Sequence, residues 1–138
     1  MNILFMCVAN SARSQMAEGL AKKIFGDRAR VESAGAMPTR VNPYAIRVMR
    51  EVDIDIAGQR SKSFVSLPAE FIAKLDYVIS LCEENVCPPL PESSAVSLKW
   101  AFPDPNLHDS GYLETLEAYR ETRDLIEAKI IAFSQSKR

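Results

Sequence analysis

Ile3-Leu4-Phe5-Met6-Cys7-Val8-Ala9, followed by Asn10-Ser11-Ala12-Arg13-Ser14, is the stretch that decides the fold. An unbroken apolar run of this length fits a strand buried on both faces of a parallel sheet. The polar residues after it read as a turn. Met16, Ala17, Leu20, Ile24 and Phe25 then recur at helical spacing, and Gly26 suits a helix stop. Strand, polar turn and helix together open a βαβ unit.

Outward from this start the alternation continues. Residues 30–34 read as a second strand and Gly35 to Thr39 as a loop. Pro43 to Val52 reads as a helix with Asn42 as cap and Pro43 in its first turn. Residues 54–68 are polar and irregular, with a short helix over 68–73. Residues 76–81 form a third strand and 95–100 a fourth. Loops span 82–93 and 102–110. A last helix runs over 111–133, with Tyr112, Leu116, Tyr119, Ile126, Ile130 and Phe133 on one stripe. Strands alternating with helices predict an α/β fold: a single three-layer domain over residues 1–138, with a four-stranded parallel sheet flanked by helices. Ligands of such sheets bind beyond the carboxyl ends of the strands. Cys7, Cys82, Cys87 and Asp104 all fall at that edge.

Composition narrows the class. The chain has 138 residues, of which 47% are hydrophobic and 25% charged, which suits a globular core and argues against disorder. Its net charge of -1 gives no bulk attraction for nucleic acid or an anionic membrane. No apolar run approaches the roughly 20 residues of a membrane span. Met1-Asn2-Ile3 lacks the basic start of a secretory signal, and a cytoplasmic, monomeric protein is expected. Three cysteines cannot close into a set of disulfides. In a reducing compartment they are catalytic, redox-active or metal-binding, or else small buried hydrophobes. The charge is uneven. Residues 1–69 carry 10 Lys+Arg against 6 Asp+Glu, a net of +4, and residues 70–138 a net of -5. The basic half holds the first turn and favours an anionic ligand.

Cys7 to Ser14 has the pattern Cys-x5-Arg-Ser between a predicted strand and a predicted helix. Successive backbone N–H groups in such a turn form a concave nest for a tetrahedral oxyanion. The helix adds unpaired N–H groups and the positive end of its dipole. Val8, Ala9, Asn10, Ser11, Ala12, Arg13 and Ser14 are the expected anion-binding residues, with Arg13 holding two oxygens in bidentate fashion. The same field lowers a cysteine pKa from about 8.5 to about 3.5–7.5. Cys7 is therefore the candidate nucleophile. Ser14 can donate to its sulfur, and Asn10 suits a left-handed turn position. The plainer reading is a core cysteine ending a strand before an ordinary turn.

The stretch Cys7 to Gly19, with Gln15-Met16-Ala17-Glu18 after the arginine and serine, resembles the signature of arsenate reductases built on the low-molecular-weight tyrosine phosphatase fold. Phosphatases of that fold usually carry proline where Gln15 stands. Ser33-Ala34-Gly35, Val41-Asn42-Pro43-Tyr44-Ala45, Cys82-Glu83-Glu84-Asn85-Val86-Cys87-Pro88 and Phe102-Pro103-Asp104-Pro105 extend the resemblance along nearly the whole chain. Ala12 stands where relatives often have a second cysteine, and the Cys82–Cys87 spacing is shorter than in typical thioredoxin-coupled members.

The resemblance implies reduction of arsenate to arsenite. Cys7 would attack arsenic, Cys82 would attack the Cys7 sulfur, and Cys87 would resolve the disulfide. A thioredoxin or glutathione/glutaredoxin donor would restore the thiols, with no bound cofactor. It also makes Asp104 the general acid, although an aspartate between two prolines reads by itself as a turn former. Some relatives place a potassium ion beside the loop, with an acidic ligand near position 62. Lys62 stands there, so an ammonium is expected in its place and no metal. Cys82, Cys87 and His108 lack the four ligands and the spacing of a structural zinc site. His108 reads as surface structure. The competing expectations are a phosphatase using Cys7, Arg13 and Asp104, and an oxyanion or redox sensor without catalysis.

Overall fold

The computed structural model describes residues 1–82, 95–106 and 110–137. Four strands, β1 (Asn2–Cys7), β2 (Arg30–Gly35), β3 (Tyr77–Cys82) and β4 (Val96–Phe102), form one parallel sheet in the order β2-β1-β3-β4. The helices are α1 (Arg13–Phe25), α2 (Pro43–Arg50), α3 (Ala69–Ala73) and α4 (Tyr112–Ser136). Short 3-10 turns lie at Gly26–Arg28 and Phe64–Ser66.

β1 shows why an unbroken apolar run becomes a central strand. Alternate side chains point to opposite faces. Ile3 and Phe5 enter a large cluster with Met16 and Leu20 of α1, Val48 and Met49 of α2, and Tyr119 and Ile126 of α4. Leu4 and Met6 enter a smaller cluster with Leu67, Phe71 and Leu75 on the other face. All four β1 side chains are at most 2% exposed. Each buried side chain of this size contributes about 1.5–3 kcal/mol, so the two clusters hold the sheet and leave the strand ends free for polar chemistry.

The chain leaves β1 for β2 on one side and later returns to β3 on the other. The connections after β1 and β3 therefore diverge at the carboxyl end of β1, the crevice where open α/β sheets bind ligands. Cys7 is the last residue of β1.

Some elements differ from the sequence reading. β1 stops at Cys7 instead of running to Ala9, because the chain turns there into the loop. α2 ends at Arg50, and Asp53 just beyond it takes a left-handed φ of 62°. β4 continues to Phe102 through a register shift that sets Cys82 opposite Phe102. Leu116, Tyr119, Ile126, Ile130 and Phe133 are buried as the α4 stripe requires, but Tyr112 is 53% exposed. It lies at the first turn of α4, where Tyr44 covers one side of it at 5.7 Å between ring centroids. No helix among the described residues is long and apolar enough to cross a membrane.

Candidate active site

The loop between β1 and α1 wraps around the Cys7 sulfur. Asn10 turns it through a left-handed φ of 47°. Gly35 at the end of β2 permits the wrap: a Cβ there would lie 2.6 Å from the Val8 carbonyl oxygen and 2.8 Å from the Asn10 nitrogen. The helix that follows has an open start. Ala12 at its N-cap offers no side-chain acceptor, and its first turn holds no acidic residue. The N–H groups and dipole of α1 are thus left for an anion from outside.

The Cys7 thiol is held well below its ordinary value, at about 6. The largest cause is a hydrogen bond from the Cys82 thiol. Burial opposes it, and the Ser14 side chain and the backbone N–H groups of Ser14 and Asn10 reinforce it. A thiol lowered in this way favours its thiolate form at neutral pH. Cys7 is 4% exposed and Cys82 is fully buried.

Ser14 Oγ lies 2.8 Å from Cys7 Sγ. The direction of that hydrogen bond follows from its neighbours. The Lys62 backbone N–H, which can only donate, reaches Asn10 Oδ1 at 2.8 Å. Asn10 must then present Nδ2 to Ser14 Oγ, also at 2.8 Å. Ser14 accepts there, so its own proton is free to point at the sulfur.

Above the sulfur opens a cavity of about 260 Å³, lined by Cys7, Val8, Ala9, Ser11, Ala12, Arg13, Asp104 and Asn106. It is smaller than the roughly 300–1,000 Å³ of drug-sized sites and suits a small oxyanion. Arg13, 7% exposed, is steadied by an Nη1 donation to the Phe102 carbonyl at 2.8 Å. Asp104 faces the cavity from the loop after β4, and the Asn106 N–H donates to its Oδ1 at 3.0 Å. The Tyr119 hydroxyl of α4 hydrogen-bonds Asn106 Oδ1. Burial first, and then the Asp104 charge, raise the Tyr119 pKa.

The structure thus brings Cys7, Arg13, Cys82 and Asp104 to one strand edge. Of the expected anion-binding residues, Val8, Ala9, Ser11, Ala12 and Arg13 line the cavity. Asn10 and Ser14 are fully buried and hydrogen-bond the Cys7 sulfur. Cys87 and His108 lie outside the described residues. Among the described residues no cluster of three His, Cys, Asp or Glu side chains could hold a metal. The Lys62 ammonium stands 3.6 Å from the buried Glu18 carboxylate and 3.6 Å from Glu32.

Sequence reasoning missed Gln59, Ser61, Asn106 and Tyr119. Ser61 Oγ donates to the Ala9 carbonyl at 2.9 Å and accepts from the Thr39 N–H at 2.9 Å, pinning the loop's outer side. Asn106 carried a legible signal, since an N–H two residues after an aspartate is its usual Asx-turn partner.

A strand-end cysteine beside an uncapped helix start, with an arginine and an aspartate lining the same small cavity, is a phosphatase-like arrangement. The model of the low-molecular-weight phosphotyrosine protein phosphatase family matches residues 2–137, and the chain belongs to that family, among its arsenate reductase-like members. An arsenate reductase of Halalkalibacterium halodurans is 39% identical over 136 residues, 97% of this chain and 95% of that one. A solved arsenate reductase in its phosphate-binding state is 34% identical, with a TM-score of 0.82 over 98% of this chain and 97% of its own. A thioredoxin-dependent arsenate reductase of Corynebacterium glutamicum is 27% identical, with a TM-score of 0.70 over 99% of this chain and 63% of its own.

Proposed function

We propose that the protein reduces arsenate to arsenite with Cys7 as nucleophile and Cys82 as the thiol that completes the reduction. The observation that carries this reading is the Cys82 thiol hydrogen-bonded to the Cys7 sulfur beneath an oxyanion-sized cavity. Ester hydrolysis needs Cys7, Arg13 and Asp104 but no second sulfur. The names of the relatives support the same choice.

Arsenate seats on the loop N–H groups and Arg13, as phosphate would. The Cys7 thiolate forms a sulfur–arsenic bond while Asp104 protonates the departing oxygen, which leaves as water. Cys82 attacks the Cys7 sulfur, and its thiol proton passes to the arsenic-bound oxygen that becomes basic as arsenic is reduced. The sulfur–arsenic bond breaks, its electron pair goes to arsenic, and As(V) becomes As(III). Arsenite departs and a Cys7–Cys82 disulfide remains. Cys87 then attacks Cys82 and releases Cys7 as thiolate. One arsenate and two thiols become one arsenite, one disulfide and water. An external dithiol closes the cycle. The thioredoxin dependence of the Corynebacterium relative favours a thioredoxin-type donor over glutathione/glutaredoxin. The reaction needs no bound cofactor and suits a monomer in a reducing cytoplasm.

Replacing Cys82 by Ser tests the reading, since the hydroxyl still donates to Cys7 but cannot form a disulfide. The variant should form no arsenite yet keep slow hydrolysis of an aryl phosphate. Unchanged arsenite formation would overturn the role of Cys82.

A further inference from the structure

The directions of the hydrogen bonds around Cys7 depend on two amides that the sequence leaves 44 residues apart. Gln15, fully buried in the first turn of α1, extends its side chain away from the cavity. The two N–H groups of its Nε2 are shared among three acceptors, the Arg60 carbonyl at 2.9 Å, the Asn10 carbonyl at 3.1 Å and Asn10 Oδ1 at 3.0 Å. The two carbonyls can only accept, so Nε2 must face them and Oε1 must face the other way. There Gln59 meets it. Gln59 Nε2 donates to Gln15 Oε1 at 2.7 Å and to the Gln15 carbonyl at 3.0 Å.

Every arrow from the outer loop to the nucleophile is therefore set. Gln59 locks the Gln15 amide in the orientation that the two carbonyls select, and Gln15 adds a second, shared donor to Asn10 Oδ1. The other is the Lys62 N–H, on the same loop that Gln59 and Arg60 tie to α1. With both donors in place, Asn10 turns Nδ2 to Ser14. Without them, Asn10 can rotate its amide and present Oδ1 to Ser14. The hydroxyl proton would then be drawn to Asn10 and lost to the sulfur.

We infer that Gln15 and Gln59 are positioning residues that hold the Asn10 amide in one orientation and so aim the Ser14 proton at Cys7. Neither side chain lines the cavity or touches Cys7. The inference rests on Cys7 acting as a thiolate and not on which oxyanion it attacks. The charged groups facing Cys7 are Arg13 from α1 and Asp104 from the loop after β4, and the Cys82 thiol meets it from β3. The Gln15–Gln59 pair leaves all three in place.

The test reads the thiolate without arsenate. Alkylation of Cys7 by iodoacetamide is followed against pH by peptide mass spectrometry in the full-length protein. Gln59→Met keeps the volume and stays neutral but cannot donate. It should move the midpoint of the profile upward and slow alkylation at pH 6 about threefold to tenfold. Ser14→Ala should do the same, and adding Gln59→Met to it should change the rate less than twofold, since both act through one proton. Gln59→Leu, also neutral and unable to donate, serves if Gln59→Met folds poorly. An unchanged midpoint in a folded Gln59 variant overturns the inference. So does a shift that persists in full in the Ser14→Ala background, because a general loosening of the loop would act without Ser14. Failure of arsenate reduction alone would count against the proposed reaction and leave these profiles as they are.

Discussion

Helices α1 and α2 begin in opposite ways. Asn42 caps α2, accepting from the Tyr44 N–H at 2.8 Å, and Pro43 at the first position removes a donor that would otherwise need a partner. α1 begins at Ala12 with no cap and no acidic residue. The first closes its own amides and serves the fold. The second leaves them open, at a cost in helix stability, and gathers around them an arginine, a thiolate and a neutral amide network. A helix start that breaks the capping rule beside a strand-end cysteine marks function, and one that obeys it marks structure.

Breaking the open start should have the largest effects. Cys7→Ser should abolish arsenite formation in a colorimetric arsenite assay, because a serine hydroxyl remains protonated where the thiol ionises. Arg13→Lys keeps the charge but loses the fork, and should lower kcat for arsenite formation about 10²–10³-fold. Ala12→Asp would make α1 resemble α2. The carboxylate should cap the helix and raise stability by about 1 kcal/mol in urea titration, while raising KM for arsenate about tenfold or more by repulsion. Asn42→Ala is the mirror experiment: about 1 kcal/mol less stable, with kcat and KM unchanged.

The pH dependence follows from Cys7. The thiolate is the reactive form, so the rate should fall as pH drops through about 6. Ser14→Ala should carry that acid limb to higher pH. The smallest effect belongs to the surface clamp where Glu51 accepts from Arg120 and Arg123, which hold its carboxyl at about 2. A depressed carboxylate stabilises above its unfolded pKa and loses that contribution as pH falls from about 4.5 toward 2. Glu51→Gln should therefore lower Tm slightly at pH 7, not at pH 2, and leave the arsenite assay untouched.

The legible parts of this molecule are those written in contiguous sequence. β1, its loop and α1 follow one another, and both periodicities are clean, so the strand–loop–helix unit that sets Cys7 and Arg13 at the small cavity could be read directly. Cys82 was legible as the end of an apolar strand, although its hydrogen bond to Cys7 arises only when β3 pairs beside β1. Gln59, Ser61 and Lys62 sit in a stretch without periodicity. Their meeting with Ala9, Asn10 and Gln15 is set by packing 44 to 52 residues away, which no local pattern encodes. Tyr112 shows the reverse error: it lies on the right helical stripe, but the stripe outruns the core at the first turn of α4.

The most direct test of the account is a trapped single turnover. Cys87→Ser protein is mixed with one equivalent of arsenate, quenched by acid and mapped without reduction. The account predicts one equivalent of arsenite and a disulfide between the peptides carrying Cys7 and Cys82. Arsenite released with Cys82 still alkylatable would contradict it.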